Sequence, residues 1–217
     1  MIARAAEVSG EQGLVVAGFD RAGVRFVETI GLPARGEAAL DLVFSVASVT
    51  KLLTTYTLAS LVREGRLSWD EKLVEVCPGL RLSQAFKDDP PLLVDVLSHR
   101  TGLPMWAGDL LWFRSKLTWE QIAPRLAGIR PVAPIRSQLA YSNLLFSGLR
   151  EAFSARVGLG WEAAVGEAVL RPLGMARTAL SDQAARTLER AVPPRTKLAG
   201  LAEAPFDQPL DVIAPAA

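Results

Sequence analysis

Ser48 and Lys51 are the residues whose types and spacing can most directly do chemistry. They stand three positions apart in Ser48-Val49-Thr50-Lys51, at the start of a segment that reads as a helix. Positions i and i+3 share a helical face, so the serine hydroxyl and the lysine ammonium point the same way. A serine hydroxyl is a poor nucleophile until something takes its proton. An ammonium on the same face can organise that transfer and supply positive charge. The unpaired N–H groups of a helix N-terminus add a favourable field for a developing oxyanion. Taken alone, the pair reads more simply as an N-cap serine followed by a solvated lysine. Its surroundings change that reading. The helix is so apolar that an inward-facing first-turn lysine calls for a function, because burying a charge is costly.

Two other residues invite chemistry. Cys77 is the single cysteine, so an intrachain disulfide is excluded. It lies in LVEVCPGL, an apolar stretch that ends in a Pro-Gly turn, and reads as a small buried hydrophobe. His99 is the single histidine, which excludes a multi-histidine metal site.

Four ordered segments carry a resemblance. FSVASVTKLLTT is similar to the nucleophile segment of the serine β-lactamase and DD-peptidase superfamily, in its class C-like branch. LLVDVLSHRTGLP resembles the loop after that branch's second helical segment. Tyr141-Ser142-Asn143 matches its second motif, Tyr-x-Asn, and WEAAVGEAVLRPLGMARTAL resembles its PLGM segment. The interval between Ser48 and Tyr141 lies within what the branch shows.

The resemblance implies a serine hydrolase that forms an acyl-enzyme on Ser48 with an ester, amide or lactam, and that needs no metal and no organic cofactor. It implies that Tyr141 is the general base, sharing a proton network with Lys51. A phenol keeps its proton near neutral pH unless neighbouring cations favour the phenolate, and Lys51 is one such cation. Asn143 would hold Lys51 and donate to the acyl side chain of the substrate. Read without the resemblance, YSN is a turn in which Ser142 or Asn143 caps the next helix. His99, as the single histidine, invites an acid or base role; in this branch it falls in a loop that packs under the active site, which favours a structural role over that one. Trp106, Trp112 and Trp119 fall in the region that roofs the acyl pocket; of these, Trp106 and Trp112 are the candidate substrate contacts, and ordinary core filling is the competing reading. Class A relatives use a carboxylate and Ser-Asp-Asn, which this chain lacks at the expected places.

The elements that must position these residues are legible in outline. Leu14–Phe19, a turn at Asp20–Gly23 and Val24–Ile30 read as a β-hairpin with one face buried. Val49–Glu64 reads as a helix apolar over most of its circumference, hence buried, with Gly65 as its stop signal. Ser68 with Glu71 three residues on predicts a capping box and a short helix to about Val76. Short helices follow at Leu92–Ser98, Leu144–Phe153 and Trp161–Leu170, and Gly102 and Pro104 force HRTGLP into a loop. Past Ser181 periodicity fades. The resemblance implies the class α+β, a β-lactamase/transpeptidase-like helical region packed on an antiparallel sheet that lacks its C-terminal strands here. No linker is evident, and the resemblance implies that residues 1–217 are one incomplete domain: a hairpin about 12–31, a catalytic helical region about 44–180 and a tail 181–217.

Bulk properties exclude more than they assign. Half of the residues are hydrophobic and the net charge is +1, which suits a packed core and gives no basic patch for nucleic acid or anionic lipid. No stretch reaches the roughly twenty apolar residues of a membrane span. MIARAAEVSGEQG shows no signal-peptide pattern, so the chain reads as cytoplasmic, or as periplasmic or secreted if a signal was removed. After Tyr141 there is no Lys-Thr-Gly and no His-x-Gly, the branch's third motif. The tail QPLDVIAPAA resembles the start of the segment before the last helical part, and relatives continue beyond it. That reading leaves a non-catalytic fragment or a ligand-sensing module as the alternative to an enzyme.

Overall fold

The structure is a computed structural model that describes residues 2–9, 13–32, 36–192, 195–196, 204–205 and 210–217. The chain forms two compact units: residues 1–45 with 186–206, and residues 46–185 with 207–217. Each unit is assembled from separate stretches of chain, so the division leaves no linker signature in the sequence.

The first unit holds α1 (Ile2–Ser9), β1 (Leu14–Asp20), β2 (Gly23–Ile30), a 3₁₀ turn Gly36–Asp41, and the two-residue strands β3 (Arg195–Thr196) and β4 (Ala204–Pro205). β1 and β2 pair antiparallel from Leu14↔Ile30 to Asp20↔Gly23, with a bulge at Gly18/Phe19. Asp20 Oδ1 accepts from Ala22 N at 2.8 Å, and Gly23 takes φ 114° to close the turn. The Phe26 ring lies over its partner Gly18, where a Cβ would stand 2.2 Å from it. The hairpin has no buried face of the kind the alternation predicts. None of its residues is fully buried, and Phe19 is 81% exposed. A two-stranded ribbon gives each side chain only its cross-strand neighbours to pack on.

The second unit is helical: α2 (Thr50–Arg63), α3 (Leu73–Val76), α4 (Leu93–Leu97), α5 (Trp119–Ile122), α6 (Asn143–Gly148), α7 (Arg150–Val157), α8 (Trp161–Val165) and α9 (Asp182–Ala185). Its centre is made of Leu58, Leu73, Leu93, Ile122, Phe146, Phe153 and Ile213, all essentially inaccessible to solvent. Gly65, at φ 69°, ends α2 as its stop signal requires. α2 differs from expectation in its burial. Thr50, Lys51, Thr54, Thr57, Leu58 and Leu61 are buried, whereas Leu52 and Tyr56 are 69% and 57% exposed. Apolar residues all round do not force burial all round; the buried face is the one carrying three threonines and the lysine. Glu71 Oε1 accepts from Ser68 N at 2.7 Å, but this closes a turn, and α3 begins only at Leu73. The predicted Leu144–Phe153 helix is two helices meeting at Leu149, and the Trp161–Leu170 helix widens into a π turn at Gly166–Leu170. Buried Cys77 has its thiol pushed well above the ordinary range by desolvation, as the inert reading requires.

Candidate active site

Ser48 sits on a 3₁₀ turn, Ala47–Val49, that runs directly into α2. Ala47 before it takes φ 42°, a left-handed conformation unusual for a residue with a Cβ. Lys51, one turn on, is 8% exposed. Its Nζ donates to Ser48 Oγ at 3.2 Å, to Asn143 Oδ1 at 2.9 Å and to the carbonyl of Ala216 at 2.8 Å. An ammonium has three protons, and here each finds an acceptor, which is what makes a buried lysine tolerable. Burial pulls the Lys51 pKa down; the polar contact with Tyr141 and then the Asp109 carboxylate pull it back.

Tyr141 and Asn143 arrive from the other side of the site. Asn143 is the first residue of α6, and Ser142 is its N-cap, its Oγ accepting from Leu145 N. The capping role and the presence of Asn143 at the site therefore coexist. The Tyr141 ring centroid lies 4.6 Å from Lys51 Nζ. Its ring is flanked by His99 at 4.4 Å and Trp106 at 4.8 Å.

The HRTGLP loop fixes this placement. Ala140 N donates to the His99 carbonyl at 2.8 Å and Trp106 N to the Tyr141 carbonyl at 2.8 Å. His99 Nδ1 accepts from Ser142 N at 3.3 Å, so this nitrogen carries no proton. Burial, and then Lys51, hold the His99 pKa below the usual imidazole range. Gly102, at φ 78°, lets the loop press on Ala133: a Cβ there would lie 2.3 Å from the Ala133 carbonyl oxygen. Below it, Arg136 makes a two-pronged pair with buried Asp95, at 3.0 and 2.8 Å, tying the approach to Tyr141 onto α4.

The structure thus brings together Ser48, Lys51, Tyr141, Asn143 and Trp106. Trp106 is 52% exposed beside Tyr141, while Trp112, at 8%, is packed in the core. Trp119 is also buried there, under the Arg150 guanidinium at 4.8 Å. One residue at the site carries no sequence signal. Asp109 Oδ2 accepts from Asn143 Nδ2 at 2.8 Å. Its other oxygen is buried and closes no hydrogen bond of ordinary geometry among the described residues; neither does the buried indole N–H of Trp112, which nonetheless favours the carboxylate. No motif or spacing singles Asp109 out of WAGDLL.

The tail also enters the site. Thr54 Oγ1 donates to the Pro215 carbonyl at 2.9 Å and Ser147 Oγ to that of Ile213 at 2.6 Å. Arg150 donates to the Val212 carbonyl at 3.0 Å and also to that of Ala214. Among the described residues no helix is long and apolar enough to cross a membrane.

The profile of the family described as Beta-lactamase matches residues 2–215. The D-alanyl-D-alanine-carboxypeptidase/endopeptidase AmpH of Escherichia coli strain K12 is 31% identical over 142 residues, which cover 64% of this chain and 37% of that protein. Among solved structures, the octameric penicillin-binding protein homologue from Pyrococcus abyssi superposes with a TM-score of 0.78 at 18% identity, over 99% of this chain and 50% of that one. A class C beta lactamase superposes with a TM-score of 0.77 at 22% identity, over 100% of this chain and 58% of that one. The β-lactamase/transpeptidase-like fold is therefore shared, and the chain spans between a third and two thirds of the length of these proteins.

Proposed function

The chain belongs to the beta-lactamase family, and from that premise we propose that it carries the nucleophile of an acyl-serine hydrolase. The observation that supports this most directly is the Lys51 ammonium bridging Ser48 Oγ and Asn143 Oδ1 inside a buried network. In this reading Ser48 Oγ attacks the carbonyl carbon of an ester, amide or lactam as its proton passes to Tyr141, held beside Lys51. The oxyanion forms near the first-turn N–H groups at Ser48. Its collapse expels the leaving group, which takes the proton from Tyr141, and leaves an acyl ester on Ser48. Water then attacks the ester, giving a proton to Tyr141, and Tyr141 passes that proton to Ser48 Oγ as the acyl–Oγ bond breaks and the acid leaves. Exposed Trp106 supplies an apolar wall beside Tyr141 for the acyl group. Trp112 is better placed to pack behind Asp109 than to touch substrate. AmpH, named as a D-alanyl-D-alanine peptidase, makes a D-amino-acid amide one substrate class to try.

A fluorophosphonate or a penicillin is expected to label Ser48 and no other serine, as read by peptide mass spectrometry. An adduct on Ser45 or Ser142, or labelling that survives Ser48→Ala, overturns the reading. A second reading has its own observation: the 217 residues hold no Lys-Thr-Gly or His-x-Gly after Tyr141. Ser48 labelling with no Ser48-dependent turnover of a nitrophenyl ester or a chromogenic cephalosporin supports a site that binds or is acylated without release. Turnover near one per second, ordinary for an enzyme, excludes it.

A further inference from the structure

Asp109 begins a 3₁₀ turn, Asp109–Leu111, just after Gly108 at φ 80°. That turn cannot drift. A Cβ at Gly108 would meet Leu144 at 2.7 Å and Ile129 at 2.9 Å. Asp109 N donates to the Trp106 carbonyl at 3.0 Å, and Trp106 N donates to the Tyr141 carbonyl at 2.8 Å. The carboxylate is thus fixed relative to the Tyr-x-Asn segment by the backbone as well as by its own bond to Asn143.

Asn143 has one acceptor end and one donor end. Its Oδ1 faces Lys51 Nζ at 2.9 Å and its Nδ2 faces Asp109 Oδ2 at 2.8 Å. Turned over, the amide would put N–H against an ammonium and oxygen against a carboxylate. An ionised carboxylate can only accept, so Asp109 decides which end of Asn143 reaches the lysine.

We propose that Asp109 is a positioning residue for acyl transfer: it holds the Asn143 oxygen toward Lys51 and sets a negative charge behind it, keeping Lys51 an ammonium aimed at Ser48. The proposal rests on Ser48 being the nucleophile. Among the described residues, the ionisable side chains that face Lys51 are Tyr141, His99 and Asp109, of which Asp109 is the carboxylic acid. Burial works against the charges of both Lys51 and Asp109, and each favours the other. Removing the Asp109 charge therefore lowers the Lys51 pKa.

Asp109→Asn keeps the shape and deletes the charge. Two measurements decide: the pH profile of fluorophosphonate labelling, and the titration of Lys51 followed by NMR of ¹³Cε-labelled lysine. The expected result is labelling slowed about ten- to hundredfold, as for a misaligned reacting group. Its alkaline limb moves to lower pH, Lys51 titrates at lower pH, and the protein melts no lower than its parent. Parental labelling with an unchanged Lys51 titration overturns the proposal. So does a loss of labelling that only tracks loss of folded protein, which would make Asp109 structural. If the parent is not labelled at Ser48, the nucleophile reading fails instead, and the Lys51 titration alone decides on Asp109.

Discussion

His99 makes the stability of the fold around the site depend on pH. Its Nδ1 accepts from Ser142 N, and its ring packs on Tyr141. Protonation removes the acceptor and sets a cation near Lys51. Burial keeps the folded-state pKa below the unfolded value of 6.5. Above 6.5 both states are neutral and the full contribution to stability is present. As pH falls through that value the unfolded chain takes up the proton first, and stability declines until the lower folded-state pKa is passed. His99→Asn should flatten this decline, measured as melting temperature between pH 7 and pH 5. Asn tolerates the left-handed φ of 55° found here and does not titrate. An equally steep decline in the variant assigns the acid sensitivity elsewhere. At this scale the sequence was legible where a motif spans a few residues: Ser48, Lys51, Tyr141 and Asn143 meet. Asp109 was not legible, because its partner, Asn143, lies 34 positions away and nothing in WAGDLL marks a carboxylate as inward. Trp106 and Trp112 looked alike in sequence, yet one is half exposed and the other is core, a difference set by tertiary packing.

At the scale of elements, glycine positions separate turns that merely end a helix from turns that hold the site. Gly102 combines φ 78° with a Cβ position 2.3 Å from the Ala133 carbonyl oxygen, a backbone atom that cannot swing aside. Its own carbonyl accepts from Val132 N at 2.9 Å. Gly102→Ala should cost about 1–3 kcal/mol from backbone strain alone, with more from displacing residues 132–134, and it should slow any labelling of Ser48. Gly166→Ala is the control. Nothing lies within 4 Å of its added Cβ and its φ of −54° is helical, so the change should be neutral or stabilising by about 0.5–1 kcal/mol. Urea midpoints of the two variants measure both, and equal midpoints refute the contrast. That HRTGLP must be a loop was readable from Gly102 and Pro104. That it pairs with residues 132–142 was not, since those hydrogen bonds join stretches some 30 to 40 positions apart. α2 gives the complementary lesson. Its limits were legible from Gly65, but its buried face was not, because periodicity reports an apolar surface and not what covers it.

At the scale of the whole molecule, the site belongs entirely to the unit of residues 46–185 and 207–217, and it depends on the second of those stretches. The tail Leu210–Ala217 loses periodicity in sequence, yet its carbonyls satisfy Lys51, Thr54, Ser147 and Arg150. Ile213 is 1% exposed and Ala216 0%. Two reciprocal bonds clasp the tail to α9: Asp182 N donates to Asp211 Oδ1 and Leu210 N to Asp182 Oδ2, each at 2.8 Å. Removing residues 210–217 would take an acceptor from three buried or partly buried donors, Lys51, Thr54 and Arg150, at about 1–3 kcal/mol each, and would empty the space filled by Ile213, at about 2–5 kcal/mol for a large aliphatic side chain. Such a loss matches the roughly 5–15 kcal/mol by which whole domains are stable. The shortened chain should therefore lose its cooperative melt and its near-ultraviolet circular dichroism. Ile213→Ala, which keeps every tail carbonyl, should remain folded and melt lower, with Ser48 labelled at close to the parental rate per folded molecule. A shortened chain that melts cooperatively at the parental temperature would show that the tail only rests on a unit complete without it, and that Lys51 finds its third acceptor elsewhere.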